Sequence, residues 1–270
     1  MTSLRTSWGG WGGVPEVRTI TLSNNKGGSA KTTTTVSLAS AFAETGLRVL
    51  VVDLDPQGSA TFWLGGRESP VGLVELSAGG IRVAQLLQES SAPGVDLIAA
   101  GPSLVPSGDK SPNAIGLAIV RGLARLPDYW DLVLVDTPPT VGYLSLAPLV
   151  RSDHVLIPVE AHALAIPGVA SVIASIERAR EQVNRRLELL GIVACRVSST
   201  VHARSVLDQL RAAFGRFVLD QTVREASRLA EAPARRLPIT RYAPESIAAR
   251  DYRAVALECL DRMGGTDSIA

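Results

Sequence analysis

Thr19-Ile20-Thr21-Leu22-Ser23-Asn24-Asn25-Lys26-Gly27-Gly28-Ser29-Ala30-Lys31-Thr32-Thr33 changes pattern twice, from strand to loop to the start of a helix. Its first four residues alternate as a strand does, and beyond it Val36, Leu38, Ala39, Phe42 and Ala43 recur at helical spacing. A glycine-bearing loop lies between. Such a loop turns several backbone N–H groups towards one point at the positive end of the helix, which suits a chain of phosphates. Lys31 then meets the β and γ phosphates, and the Thr32 hydroxyl ligates Mg²⁺.

The strict phosphate-loop pattern G-x-x-x-x-G-K-[ST] fails at both fixed glycines, where Asn25 and Ala30 stand. Lysine usage restores the reading. Only three of the 27 lysine and arginine residues are lysine, namely Lys26, Lys31 and Lys110, and two of these fall inside the loop. A compact ammonium fits among phosphate oxygens where a planar guanidinium does not.

Gly46 stops the helix, and beyond it Val49-Leu50-Val51-Val52 forms a short, fully apolar strand of the parallel-sheet kind. It runs into Asp53-Leu54-Asp55-Pro56-Gln57-Gly58, which places acids at the strand end where open α/β sheets bind ligands. Pro56 ends the strand geometry, so one carboxylate faces Mg²⁺ and the other a water. Leu132-Val133-Leu134-Val135-Asp136 is a Walker B pattern, a buried strand whose terminal carboxylate holds Mg²⁺ directly or through water. Thr137-Pro138-Pro139 follows as a stiff turn suited to reporting a γ-phosphate.

Lys26-Gly27-Gly28-Ser29-Ala30-Lys31-Thr32-Thr33 resembles the deviant phosphate loop, KGGxGKTT, of the ParA/MinD class of ATPases. Asp53 to Thr61 resembles that family's DxDPQGxAT signature, Asp136 to Pro139 its D-x-P-P, and Arg228-Leu229-Ala230-Glu231-Ala232-Pro233 its RL[SA]EAP segment. The resemblance runs from about Thr19 to Met263 and lies closest to the ParA (Soj-like) partitioning proteins. It implies nucleotide binding by Lys26, Gly27, Gly28, Ser29, Ala30, Lys31, Thr32 and Thr33, and a metal site of Thr32 and Asp136 with Asp53 as a further candidate. It implies that Lys31 acts on the phosphates, that Lys26 reaches the nucleotide of a partner subunit in an ATP-sandwich dimer, and that Asp55 orients the attacking water. Arg228 inherits a role in non-specific DNA binding. A second basic position of the family falls on Thr200, with Arg204 as the nearby substitute.

The remaining pattern alternates strands and helices. Strands are expected at 97–100, 155–159 and 191–195, and helices at 83–88, at 113–125, from Val169 to Leu187, and along Tyr252, Val255, Ala256, Cys259, Leu260 and Met263. Residues 62–80 read as irregular. The expected fold is a single-domain α/β P-loop NTPase of the deviant Walker A class, with a mostly parallel twisted sheet and helices on both faces. It spans residues 17–270, behind a flexible N-terminal extension of residues 1–16 in which Trp8 or Trp11 is a weak candidate anchor.

Length and a 46% hydrophobic content suffice for one buried core. A net charge of +1 gives no global drive towards nucleic acid or membrane, but residues 185–250 hold twelve arginines against six acids, a local excess suited to DNA phosphates. Cys195 and Cys259 read as buried free thiols, and His154, His162 and His202 lack metal-ligand spacing and read as structural. No run of about 18 apolar residues and no basic amphipathic C-terminal anchor is present, so a cytoplasmic, nucleoid-associated protein with no membrane partner is expected.

The functional expectation is a ParA-like ATPase using ATP and Mg²⁺. It forms a homodimer on ATP, binds double-stranded DNA non-specifically, and partitions a chromosome or plasmid through a ParB-like partner that stimulates hydrolysis. Ala30 keeps a second class open, a nucleotide-gated positioning module for a protein cargo with little ATPase activity, because a methyl group there crowds the loop or restricts its backbone.

Overall fold

A computed structural model describes residues 17–108, 110–162 and 165–264, so the proposed N-terminal extension lies outside the described residues. Among the described residues, seven strands form one sheet: β1 (Arg18–Leu22), β2 (Val49–Asp53), β3 (Leu87–Glu89), β4 (Val95–Ile98), β5 (Leu132–Asp136), β6 (His154–Glu160) and β7 (Glu188–Cys195). Their spatial order is β3-β4-β2-β5-β1-β6-β7, and every pairing is parallel except β3 with β4. The helices are α1 (Lys31–Glu44), α2 (Ser59–Trp63), α3 (Leu73–Ala78), α4 (Pro112–Leu123), α5 (Tyr143–Leu146), α6 (Ala165–Gln182), α7 (Val201–Phe214), α8 (Ser227–Glu231), α9 (Ile239–Tyr242) and α10 (Ile247–Gly264).

The central strands are apolar throughout because both of their faces are covered. In β2, Val49 and Val51 join the cluster under α1 and α10, while Leu50 and Val52 join the cluster with α3 and α4. A third cluster gathers Val155, Ile157 and Ile192 with α6 and α7. Cys195 and Cys259 are free and buried, as expected, and burial pushes their thiols up to about 11 and about 12, so neither is a nucleophile at neutral pH.

Three expectations give way to the structure. The stretch 83–88 is a single 3₁₀ turn, Val83–Gln85, followed by β3, because Leu87 and Gln88 satisfy their backbone groups against β4 rather than within a helix too short to hold itself. Within 62–80 stands α3, six residues whose first turn is closed by Glu75 accepting the Gly72 N–H at 2.7 Å. Helix α6 stops at Gln182: Val183 is exposed, and the Asn184 amide instead donates to Leu149 O and Ser152 O, leaving Leu187 to bury beside β7.

The sheet's two outer strands are both blunted. β3 is only three residues long, and β7 is flanked by isolated bridges, Ile192 to Val218 and Val197 to Arg224.

Candidate nucleotide site

The loop from Ser23 to Ala30 leaves the end of β1 and is pinned before it turns. Ser23 N–H donates to Leu156 O, the Asn24 amide to Pro158 O at 2.7 Å, and the Lys26 N–H to Asn24 Oδ1 at 3.1 Å. The turn into α1 needs left-handed backbone twice, at Gly28 (φ 75°) and at Ala30 (φ 65°, ψ 22°). Glycine takes that conformation freely and alanine does not, so the departure from the family's glycine is a point of strain. Ala30 carries no capping side chain, which leaves the first amides of α1 facing the loop.

Lys31 is only 6% exposed, and its ammonium makes two long contacts, 3.3 Å to Lys26 O and 3.4 Å to Ser29 Oγ. Burial pushes it below its ordinary range, and Asp136 and Asp55 oppose that shift. Thr32 Oγ1 donates to Asp136 Oδ2 at 2.7 Å and Thr35 Oγ1 to Asp136 Oδ1 at 2.8 Å. Thr35 was not among the residues singled out from the sequence, although its place one turn beyond Lys31 puts it on the same helix face. Burial pushes both Asp136 and Asp53 upward; the charge of Asp53, set beside Asp136 where β2 and β5 pair in register, adds to the shift of Asp136, and that of Asp55 adds to the shift of Asp53.

A cavity of about 340 Å³ is lined by Gly28 to Thr33, Asp55, Pro139, Glu160 and Arg196. Asp55 reaches it as the chain turns after β2, its carboxylate accepting the Gln57 N–H at 3.0 Å. Thr137 Oγ1 donates to Leu22 O at 2.7 Å, which ties the Pro138-Pro139 turn to β1. Asp53 does not line this cavity. Its carboxylate takes donors from Asp55 N, Thr61 N and Thr61 Oγ1 within the protein, so its candidacy as a metal ligand draws no support from this geometry.

Lys26 lies on the exposed shoulder of the loop, its ammonium 2.7 Å from His162 Nε2. His162, expected to be structural, therefore stands beside the site. Arg196 also enters it unannounced, in left-handed backbone (φ 52°) and paired to Glu160 at 2.9 Å. The donor set fits a magnesium–triphosphate: a buried ammonium with weak partners, a hydroxyl–carboxylate pair of the kind that binds hard cations, and uncapped helix amides beside an open cavity.

The expected DNA residues lie apart from this pocket. Arg228 on α8 donates to Glu231 at 3.0 Å and to the Tyr242 hydroxyl at 3.4 Å, and its side chain is 59% exposed. Arg204 is exposed on α7. Thr200, standing at the family's second basic position, is the N-cap of that helix, its hydroxyl accepting the Ala203 N–H at 3.2 Å.

Comparison with known proteins bears on this geometry. An AAA-domain family model, AAA_31, matches residues 17–189. The chromosome-partitioning ATPase Soj of Thermus thermophilus is 39% identical over 92% of this chain and 97% of its own length. The chromosome partitioning protein ParA of Caulobacter vibrioides is 30% identical over 91% and 95%. Among solved structures, one titled cobyrinic acid a,c-diamide synthase from Mycobacterium smegmatis, with bound ADP and magnesium, is 30% identical with a TM-score of 0.77 over 93% of this chain and 96% of that one.

Proposed function

This chain belongs to the AAA-domain ATPases of the Soj/ParA chromosome-partitioning family, and from that premise we propose that it hydrolyses ATP to drive DNA partitioning by a nucleotide-gated dimer. The observation that carries the reading is the convergence of Lys31, the Thr32–Asp136 pair and Asp55 on one cavity at the start of α1. The ADP and magnesium of the solved neighbour support the same ligands here.

Thr32 and Asp136 would hold Mg²⁺, which when bound neutralises charge on the terminal phosphates. Lys31 trades its two long contacts for phosphate oxygens, so its preorganised charge acts where negative charge develops in the transition state. The amides of the loop do the same without reorganising. Asp55 orients the attacking water, and the Pro138-Pro139 turn senses the γ-phosphate. Lys26 leaves His162 and crosses to the nucleotide of a second copy. The closed dimer, in the cytoplasm and on the nucleoid, binds double-stranded DNA of any sequence through Arg228 and Arg204, and a ParB-like partner triggers hydrolysis and release.

Asp55→Ala should retain ATP binding and ATP-dependent dimerisation while turnover falls by at least about 10²-fold. Nucleotide binding by fluorescence, mass by light scattering and phosphate release check the three parts. Hydrolysis at the wild-type rate in that variant would remove Asp55 from the mechanism.

One observation favours a second reading, a nucleotide-gated positioning module for a protein cargo with little intrinsic turnover: the left-handed backbone at Ala30. A wild type that binds and dimerises on ATP but shows no partner-stimulated turnover, while Ala30→Gly hydrolyses in a single turnover, would select the module.

A further inference from the structure

The carboxylate of Asp53 takes three donors. Oδ1 accepts the Asp55 N–H at 3.0 Å, and Oδ2 accepts the Thr61 N–H at 2.8 Å and the Thr61 hydroxyl at 2.7 Å. The same hydroxyl accepts the N–H of Ala100, two residues beyond the end of β4, at 3.0 Å. Asp53 is 1% and Thr61 5% exposed. A buried carboxylate has about four acceptor positions, so three of them are committed to the chain itself.

The reason lies in α2. Its N-cap is Gly58, in left-handed backbone (φ 62°) and without a side-chain oxygen to offer. Helix N-termini need an acceptor for the amide at the third helical position, which here is Thr61. Asp53 supplies that acceptor from the neighbouring strand. One carboxylate therefore caps α2 and fixes the amide of Asp55 at the same time, and the seven residues between Asp53 and Thr61 form a closed loop with Asp55 inside it.

We propose that Asp53 and Thr61 are positioning residues that clasp the Asp55 loop, and that Asp53 is not a metal ligand. The inference rests on the role given to Asp55 above. Asp55 must be held to a fraction of an ångström to orient a water, and misplacement by about 1 Å can lower turnover by about 10²-fold. Buried Leu54, whose N–H donates to Asp136 O at 2.9 Å, anchors the start of the loop, but Pro56, Gln57 and Gly58 give the turn beyond Asp55 no apolar anchor of their own, so the clasp holds that part. The far end of α2 is secured separately: Trp63 Nε1 donates to Leu237 O at 2.8 Å, and Arg236 donates to Phe62 O and Gly66 O. Loss of the clasp should loosen the loop without unfolding the helix.

Thr61→Val keeps the β-branched shape and removes the hydroxyl, Thr61→Ser restores it, and Asp53→Asn replaces one acceptor oxygen by an amide. Thr61→Val should lower kcat about 10- to 100-fold with the Kd for ATP moving less than about 3-fold, and Thr61→Ser should stay within about 3-fold of wild type. Asp53→Asn should lower kcat alike while the Mg²⁺ concentration for half-maximal rate stays put. Hydrogen exchange of the peptide covering residues 54–62, without nucleotide, should be faster in Thr61→Val and Asp53→Asn but not in Thr61→Ser.

Turnover of Thr61→Val within about 2-fold of wild type overturns the proposal, as does an Asp53→Asn enzyme whose rate returns at high Mg²⁺ with a half-saturation raised about 10-fold. If the wild type itself fails to hydrolyse ATP, the catalytic reading of Asp55 falls, and the exchange experiment alone decides the clasp: unchanged exchange overturns it.

Discussion

At the scale of single residues, Ala30 is where a side chain opposes its own backbone. Its methyl joins the cluster under α1, yet the left-handed conformation costs an L-residue about 1–2 kcal/mol. Ala30→Gly relieves that strain but gives the unfolded chain about 0.4–1 kcal/mol of extra freedom, so a net gain of about 0.5–1 kcal/mol is expected. Thermal unfolding should rise by about 2 °C. His154 offers a pH signature. It is 5% exposed, Arg18 donates to its Nε2, and its Nδ1 has no hydrogen-bond partner. Burial first, and Arg18 second, push it down to about 4 from 6.5. The unfolded chain therefore binds a proton that the folded one refuses between those values, and the stability contributed by neutral His154, whole above pH 6.5, is lost as pH falls towards 4. The raised carboxyls of Asp53 and Asp136 act with the opposite sign, since protonation favours the folded form. Denaturant unfolding of wild type against His154→Phe isolates the histidine: the variant should lose less stability between pH 6.5 and pH 4, by on the order of 3 kcal/mol.

At the scale of elements, legibility followed length and context. Strands β2 and β5 read correctly because four apolar residues closed by an acid have one sensible place in an α/β sheet, and β1 with α1 because the periodicity switches across a glycine loop. Helix α3 was not legible, since six residues carry less than two turns of pattern, and the end of α6 is set by an Asn184 side chain bonding to the β5–β6 connection, a long-range partner no local window contains. The same limit hid His162 and Arg196 from the site, because each reaches it across strands rather than along the chain. Helix α8 carries the DNA expectation. Arg228 shares Glu231 with Tyr242, whose hydroxyl donates to that carboxylate at 2.7 Å. An exposed pair of this sort is readily exchanged for a phosphate. Arg228→Ala should weaken ATP-dependent binding to all DNA sequences alike and reduce the salt slope by about one, whereas Glu231→Gln should tighten binding, both measurable by fluorescence anisotropy across a salt series.

At the scale of the whole molecule, the site draws its parts from β1, β2, β5, β6 and the turn after β7, so a ligand there ties together segments from most of the chain. Magnesium–ATP at about 100 times its Kd should add about 2.7 kcal/mol to stability, which a thermal scan reads as a rise of about 5–10 °C. Asp55→Ala should retain that rise, and Lys31→Ala should abolish it. The blunted outer strands described above have a different consequence. A sheet with an open border invites the border of another chain, and polymers joined in that way do not come apart on a signal. Here one border is too short to template a neighbour and the other is already occupied by the chain's own crossing segments. Among the described residues, strand-to-strand joining of copies therefore has no free border to start from, and that irreversible route is closed by topology.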